Sequence, residues 1–105
     1  MNRYELELKT KIITNTITMK CGLPHIKVYI DYDNQTEVKG LYFFKQRYIK
    51  IFPIFNGKKR DWKDILETLF HEVAHYYQHH YYDNLEHNKN FFKTIIYLKE
   101  KINSF

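Results

Sequence analysis

An α+β domain is expected for this chain, and three observations point to it. His71-Glu72-Val73-Ala74-His75 lies inside a segment whose apolar residues recur at helical spacing. Three short stretches upstream alternate as strands do, and further helical patterns occupy the two ends. The 105 residues suit a single domain, 1–105, with one modest core, and the 44% hydrophobic and 18% aromatic content argues against a disordered chain.

The first element, Arg3 to Lys20, is read as a helix. Tyr4, Leu8 and Ile12 fall at helical spacing, although Tyr4, Leu6 and Leu8 also alternate and four threonines weaken the helix. Gly22, Leu23 and Pro24 end it. Ile26, Val28, Ile30 and Tyr32 then alternate with Lys27, Tyr29 and Asp31, as in a half-buried strand. After a turn at Asp33-Asn34-Gln35, Val38, Gly40 and Tyr42 share a face of a second strand. Gln46-Arg47 turns into a third, with Ile49 and Ile51 inward and Pro53 ending the ladder. Short connections predict a three-stranded antiparallel meander.

Gly57-Lys58-Lys59-Arg60 is expected to link the sheet to the motif helix. Asp61 is a good N-cap, and Asp64 adds a carboxylate in the first turn. Ile65, Leu66, Leu69, Phe70, Val73, Ala74 and Tyr77 form its apolar face, with His71 and His75 at the edge. Asp83-Asn84 breaks this helix. Asn88 can cap a last one, whose buried stripe is expected to be Phe91, Phe92, Ile95, Ile96, Leu98 and Ile102.

Charge and cysteine usage narrow the function classes. The net charge of +5 invites a nucleic-acid reading, but the positives are scattered and only Lys58-Lys59-Arg60 is dense. A solvated Lys-rich face is the plain interpretation, and weak nucleic-acid association the alternative. Cys21 is the sole cysteine, so there is no disulfide framework and no second thiol for a metal. The charged N-terminus lacks the pattern of a signal peptide and no apolar run could span a bilayer, so a cytoplasmic (intracellular) location is expected.

The chemistry resides in H-E-x-x-H. Residues four apart on a helix lie one above the other, so His71 and His75 present two imidazoles together. Glu72 is placed to exchange protons with a water at a metal held there, as general base and then acid. A catalytic zinc site needs a third protein ligand. His79 continues the same helix, and joining it with His71 and His75 would stretch one ion over about 12 Å. His80 points roughly 140° away from His75. His87, beyond the helix break, is free to fold back and is the best third ligand by geometry, with Glu86 and Glu100 as acidic candidates. His25, His79 and His80 otherwise read as surface or rim residues. Tyr76, Tyr77, Tyr81 and Tyr82 crowd the site end of the helix and could include an oxyanion donor.

His71-Glu72-Val73-Ala74-His75 followed by His87-Asn88-Lys89-Asn90-Phe91 resembles the SprT-like zinc metallopeptidases. That family carries H-E-x-x-H and, about a dozen residues later, an H-G-x-x-F/W element that supplies the third histidine. Asn88 stands where the family usually has Gly, a mild departure because both suit capping conformations. Gly40-x-Tyr42 and Ile49-x-Ile51-x-Pro53 resemble the family's small sheet, and the likeness extends over roughly residues 26–104. The resemblance implies a minimal zincin-like fold, one zinc ion on His71, His75 and His87, and Phe91 packing the last helix onto the site. It also implies peptide-bond hydrolysis, with DNA-associated proteins as substrates; separately, a domain too small for a second lobe to close a cleft predicts broad specificity or action on flexible or unfolded segments. Short gluzincin-type peptidases share the order of elements and would take Glu100 instead, whereas the ImmA-like peptidases fit less well. The competing class is a non-catalytic zinc-stabilised protein- or nucleic-acid-binding module. Such a module has no use for Glu72.

Overall fold

The computed structural model describes residues 1–103 and is α+β. Helix α1 (Arg3–Lys20) starts where the Asn2 side chain accepts from the Glu5 amide at 2.8 Å. It ends in a Schellman arrangement: Gly22, at φ 68°, donates to the Met19 carbonyl and Leu23 to that of Thr18. The helix is as expected, but its inner face is not. Leu6, Thr10, Thr14, Ile17 and Thr18 are buried, while Tyr4, Leu8 and Ile12 face solvent. The buried threonines are tolerated because each hydroxyl donates to a carbonyl one turn back, leaving its methyl to pack.

The sheet comprises β1 (Lys27–Ile30), β2 (Gly40–Phe43) and β3 (Tyr48–Ile51), in the order β1-β3-β2. The expected antiparallel meander is corrected here. β2 and β3 form the hairpin, turning at Arg47 (φ 56°), but β1 pairs parallel with β3, Val28 opposite Ile49 and Ile30 opposite Ile51. The physical reason is the long connection from Asp31 to Lys39. It opens with an Asx turn in which the Asp31 side chain accepts from the Asp33 amide, then runs to a second hairpin of β4 (Ile54–Phe55) and β5 (Lys58–Lys59). Gln35 donates to the Ile54 carbonyl and accepts from the Asn56 amide, and the Asn34 side chain accepts from Gly57. The chain so tethered crosses past β3 to its far side. Asn56 and Gly57 both have positive φ, the requirement of a two-residue type I′ turn, so Asn-Gly was a hairpin signal inside what reads locally as a linker.

Arg60 departs furthest from its expected surroundings. Lys58 and Lys59 are exposed, but the Arg60 side chain is only 4% exposed. Its guanidinium donates to the carbonyls of Lys39, Phe52 and Asp64, to the Asp64 carboxylate at 2.7 Å and to the Thr68 hydroxyl. This fork ties the chain entering β2 and the chain leaving β3 to the motif helix. It also holds the Asp64 carboxyl below the usual carboxylate range.

Helix α2 (Trp62–Tyr82) begins with Asp61 accepting from the Asp64 amide at 2.9 Å and ends at Asp83 in the left-handed conformation. It is the central element. Ile65, Leu69, Phe70, Val73 and Ala74 join Ile49 and Ile51 of the sheet, Ile17 of α1 and Leu98 of the last helix in one core. Helix α3 (Lys89–Asn103) is capped by Asn88, whose side chain accepts from Phe91. Its buried stripe is Phe91, Thr94 and Leu98, with Ile95 and Ile102 partly covered. Phe92 and Ile96, expected inside, are each 58% exposed, because at about 100° per residue they fall more than a quarter turn from the Phe91–Thr94–Leu98 stripe, Ile96 almost opposite it.

Candidate metal centre

His71 and His75 project from one face of α2 with ring centroids 5.0 Å apart. The third imidazole arrives on the short loop after Asp83. Two local bonds order that loop, Asn84 amide to Gln78 carbonyl and Glu86 amide to Asn84 side chain, and Asn88 then starts α3. His87 thereby reaches back, its Nε2 2.7 Å from that of His75 and 3.1 Å from that of His71. Phe91, fully buried, lies beneath all three rings with centroids 4.4–4.9 Å away, the packing role expected of it.

The donor set fits a tetrahedral zinc ion. Hydrogen bonding alone does not account for three convergent ring nitrogens, since each Nε2 offers either one proton or one lone pair. Ligating atoms all lie within 4.8 Å of one another, and nitrogens bound to one zinc ion sit about 3.4 Å apart. Among the described residues, the group that could hold a metal is His71, His75 and His87; Glu86 and Glu100 are exposed and outside it. Burial holds the His71 imidazole below its ordinary range, aided by His87, and pushes His75 down to about 4, aided by His71 and His87. Both are therefore neutral at neutral pH, the state in which imidazole ligates.

Glu72 lies on the β2 side of the same cleft, against Gly40, and is 6% exposed. Desolvation raises its carboxyl from 4.5 to about 7. The absence of a side chain at Gly40 makes this possible. A Cβ there would come within 2.6 Å of Thr68 Cγ2, 3.2 Å of Glu72 Cγ and 3.3 Å of Glu72 Oε2. Gly40, His71 and Glu72 stand where two grooves meet. The smaller, about 270 Å³, runs past Tyr42, Phe44, His75 and His87; the larger, about 640 Å³, runs between β2, α2 and α3.

The remaining candidates sort by position. His79 accepts from or donates to the Tyr42 hydroxyl at 2.7 Å and lies 3.8 Å from Asp83, so it serves the β2 side of the cleft and not the imidazole cluster. His80 and His25 are exposed. The four tyrosines of α2 do not reach the site: Tyr76 donates to the Pro24 carbonyl, Tyr81 to that of Cys21, and Tyr77 and Tyr82 line a separate cavity beside α3. The tyrosine in the cleft is Tyr42, whose hydroxyl burial pushes up to about 12. Sequence reading missed it because strand alternation places Tyr42 on a face without saying what that face meets. Burial likewise pushes the Cys21 thiol up, as befits a packed side chain.

No helix among the described residues is long and apolar enough to cross a membrane. No curated protein and no solved structure matches this chain. A family model does, and it spans more than the roughly 26–104 of the sequence likeness by including most of α1: with residues 5–103 matched, the chain belongs to the SprT-like family.

Proposed function

We propose that this chain is a zinc-dependent peptidase that holds one zinc ion on His71, His75 and His87 and uses Glu72 as its general base and acid. The observation that carries the reading is the convergence of three imidazoles beside a buried carboxylate in an open cleft. Zinc bound there supplies Lewis-acid polarisation of a carbonyl and a nucleophilic water near neutral pH. Glu72 takes the proton of the attacking water on a carboxylate oxygen and delivers it to the departing amine nitrogen. A carboxyl that exchanges its proton near pH 7 in the metal-free fold suits both directions of transfer.

Substrate backbone has one available partner beside the motif helix. β3 is paired on both edges, whereas β2 is an edge strand packed beside α2, so β2 is the better candidate for pairing with an extended peptide. A shallow cleft on so small a domain favours flexible or unfolded polypeptide. The family resemblance extends the proposal to DNA-associated proteins, and the +5 charge is compatible with that.

Casein-like unfolded protein incubated with wild type and with Glu72→Gln, with and without zinc, tests the reading. Cleavage by the zinc-loaded wild type alone is expected. Equal, zinc-independent cleavage by both proteins would discard it, and stoichiometric zinc binding with no cleavage would favour the non-catalytic zinc-stabilised module instead. A salt-sensitive mobility shift with duplex or single-stranded DNA tests the nucleic-acid branch separately.

A further inference from the structure

We propose that the larger arm of the cleft is a recognition groove for a large apolar side chain flanking the scissile bond, so that the substrates are flexible segments carrying exposed aromatic or aliphatic residues. The inference rests on the peptidase reading of the same site and adds a specificity to it.

Val38 from the chain entering β2 and Phe92, Ile95 and Ile96 from α3 supply the groove's apolar wall. Phe92 and Ile96 are each 58% exposed, although they belong to an amphipathic helix with a well-filled inner stripe. Phe92 and Ile96, one turn apart, form with Ile95 and Val38 a contiguous apolar wall in a groove that reaches the candidate metal centre, unlike apolar residues scattered singly on a surface. Across the groove, Lys99 from α3 makes a two-pronged ion pair to Glu67 of α2 at 2.7 and 2.8 Å, so these two charges offset one another, while Lys39 at the β2 end lies 3.5 Å from the Asp64 carboxylate. The groove thus offers apolar area and no unpaired charge from that pair to a charged guest.

Continuity with the imidazole cluster identifies the occupant. Gly40, His71 and Glu72 line both arms, so a carbonyl beside the three imidazoles belongs to a chain whose neighbouring residue is already at the groove mouth. Consecutive Cα atoms are about 3.8 Å apart and side chains of an extended chain alternate, so the next residue can direct its side chain into the 640 Å³ arm. The other arm, at 270 Å³, has less room.

Two flexible peptides of Gly, Ser and Ala, identical except for one central Phe or Asp, provide the test with the zinc-loaded protein. Cleavage beside the Phe is expected, with kcat/KM about tenfold or more above that of the Asp peptide. Ile96→Asp and Phe92→Asp should remove most of this preference through KM, and both should keep the wild-type circular dichroism because the side chains replaced are solvent-facing. Anisotropy of the labelled Phe peptide on metal-free protein gives a second readout, in which Ile96→Asp weakens binding by a similar factor. Zinc-dependent cleavage indifferent to Phe or Asp, or unchanged in both variants, would overturn the groove and leave the peptidase reading standing. Phe-peptide binding that Ile96→Asp abolishes, without cleavage, would support the groove and remove the peptidase reading. Sedimentation showing a wild-type dimer that Ile96→Asp dissociates would assign the patch to a second copy and overturn the inference.

Discussion

Replacing Glu72 by Gln in the metal-free protein should stabilise the fold at alkaline pH and leave it nearly unchanged at acid pH. Burial raises the folded-state carboxyl from 4.5 to about 7. A group whose folded value lies above its unfolded one contributes stability that is fully present below 4.5 and is lost as pH rises through about 7. That displacement corresponds to about 3 kcal/mol at most, since the side chain is 6% exposed and little screened. Glutamine has the shape of the protonated acid and cannot ionise, so it escapes the loss. Urea denaturation in the presence of a chelator, at about pH 4 and about pH 8.5, measures the difference. The two proteins should nearly coincide at the lower pH, and the variant should unfold about 1–2 M urea later at the higher one. The histidines titrate in both proteins, so their contribution largely cancels. Added zinc should shrink the gap, because a cation beside the carboxylate favours its charged form. A gap of the same size at both pH values, or a less stable variant at pH 8.5, would refute the claim that desolvation governs this residue.

Three further outcomes are expected. His87→Ala should weaken zinc binding by about 100-fold or more in competition with a chromophoric chelator while sparing the metal-free fold, since the residue is exposed on a loop. Gly40→Ala places a methyl 2.6 Å from Thr68 Cγ2 and 3.2 Å from Glu72 Cγ, and should cost about 1–3 kcal/mol in urea together with a larger fall in kcat than in zinc affinity. Arg60→Lys keeps the charge but loses the fork that serves three carbonyls, Asp64 and Thr68; a cost of about 3 kcal/mol, roughly 10–20 °C in Tm by calorimetry, is expected.

The features legible before folding are local ones. Asp61 before Trp62, Asp83 after Tyr82 and Asn88 before Lys89 mark helix boundaries within a residue, because a cap acts on amides or carbonyls of its own turn. The alternation of Ile49 and Ile51 marked the central strand, and both are fully buried. Even so, a local signal passed unread at Asn56-Gly57, where the hairpin is hidden among lysines and an arginine. Helix faces were less secure: α1 carries two stripes at helical spacing, and the one rich in threonine lies inside.

The amino-acid order by itself determined that His71, Glu72 and His75 share one helix, that the helix stops before His87, and that Phe91 follows in the next, because spacing and caps operate over a few residues. Tertiary structure alone decided that β1 lies parallel to β3, that Arg60 is enclosed and not part of a charged patch, that Tyr42 rather than an α2 tyrosine enters the cleft, and that Phe92 and Ile96 stand outside the core. Those outcomes depend on pairings between residues far apart in the chain, where the burial of each side chain is set by a neighbour that no local pattern names.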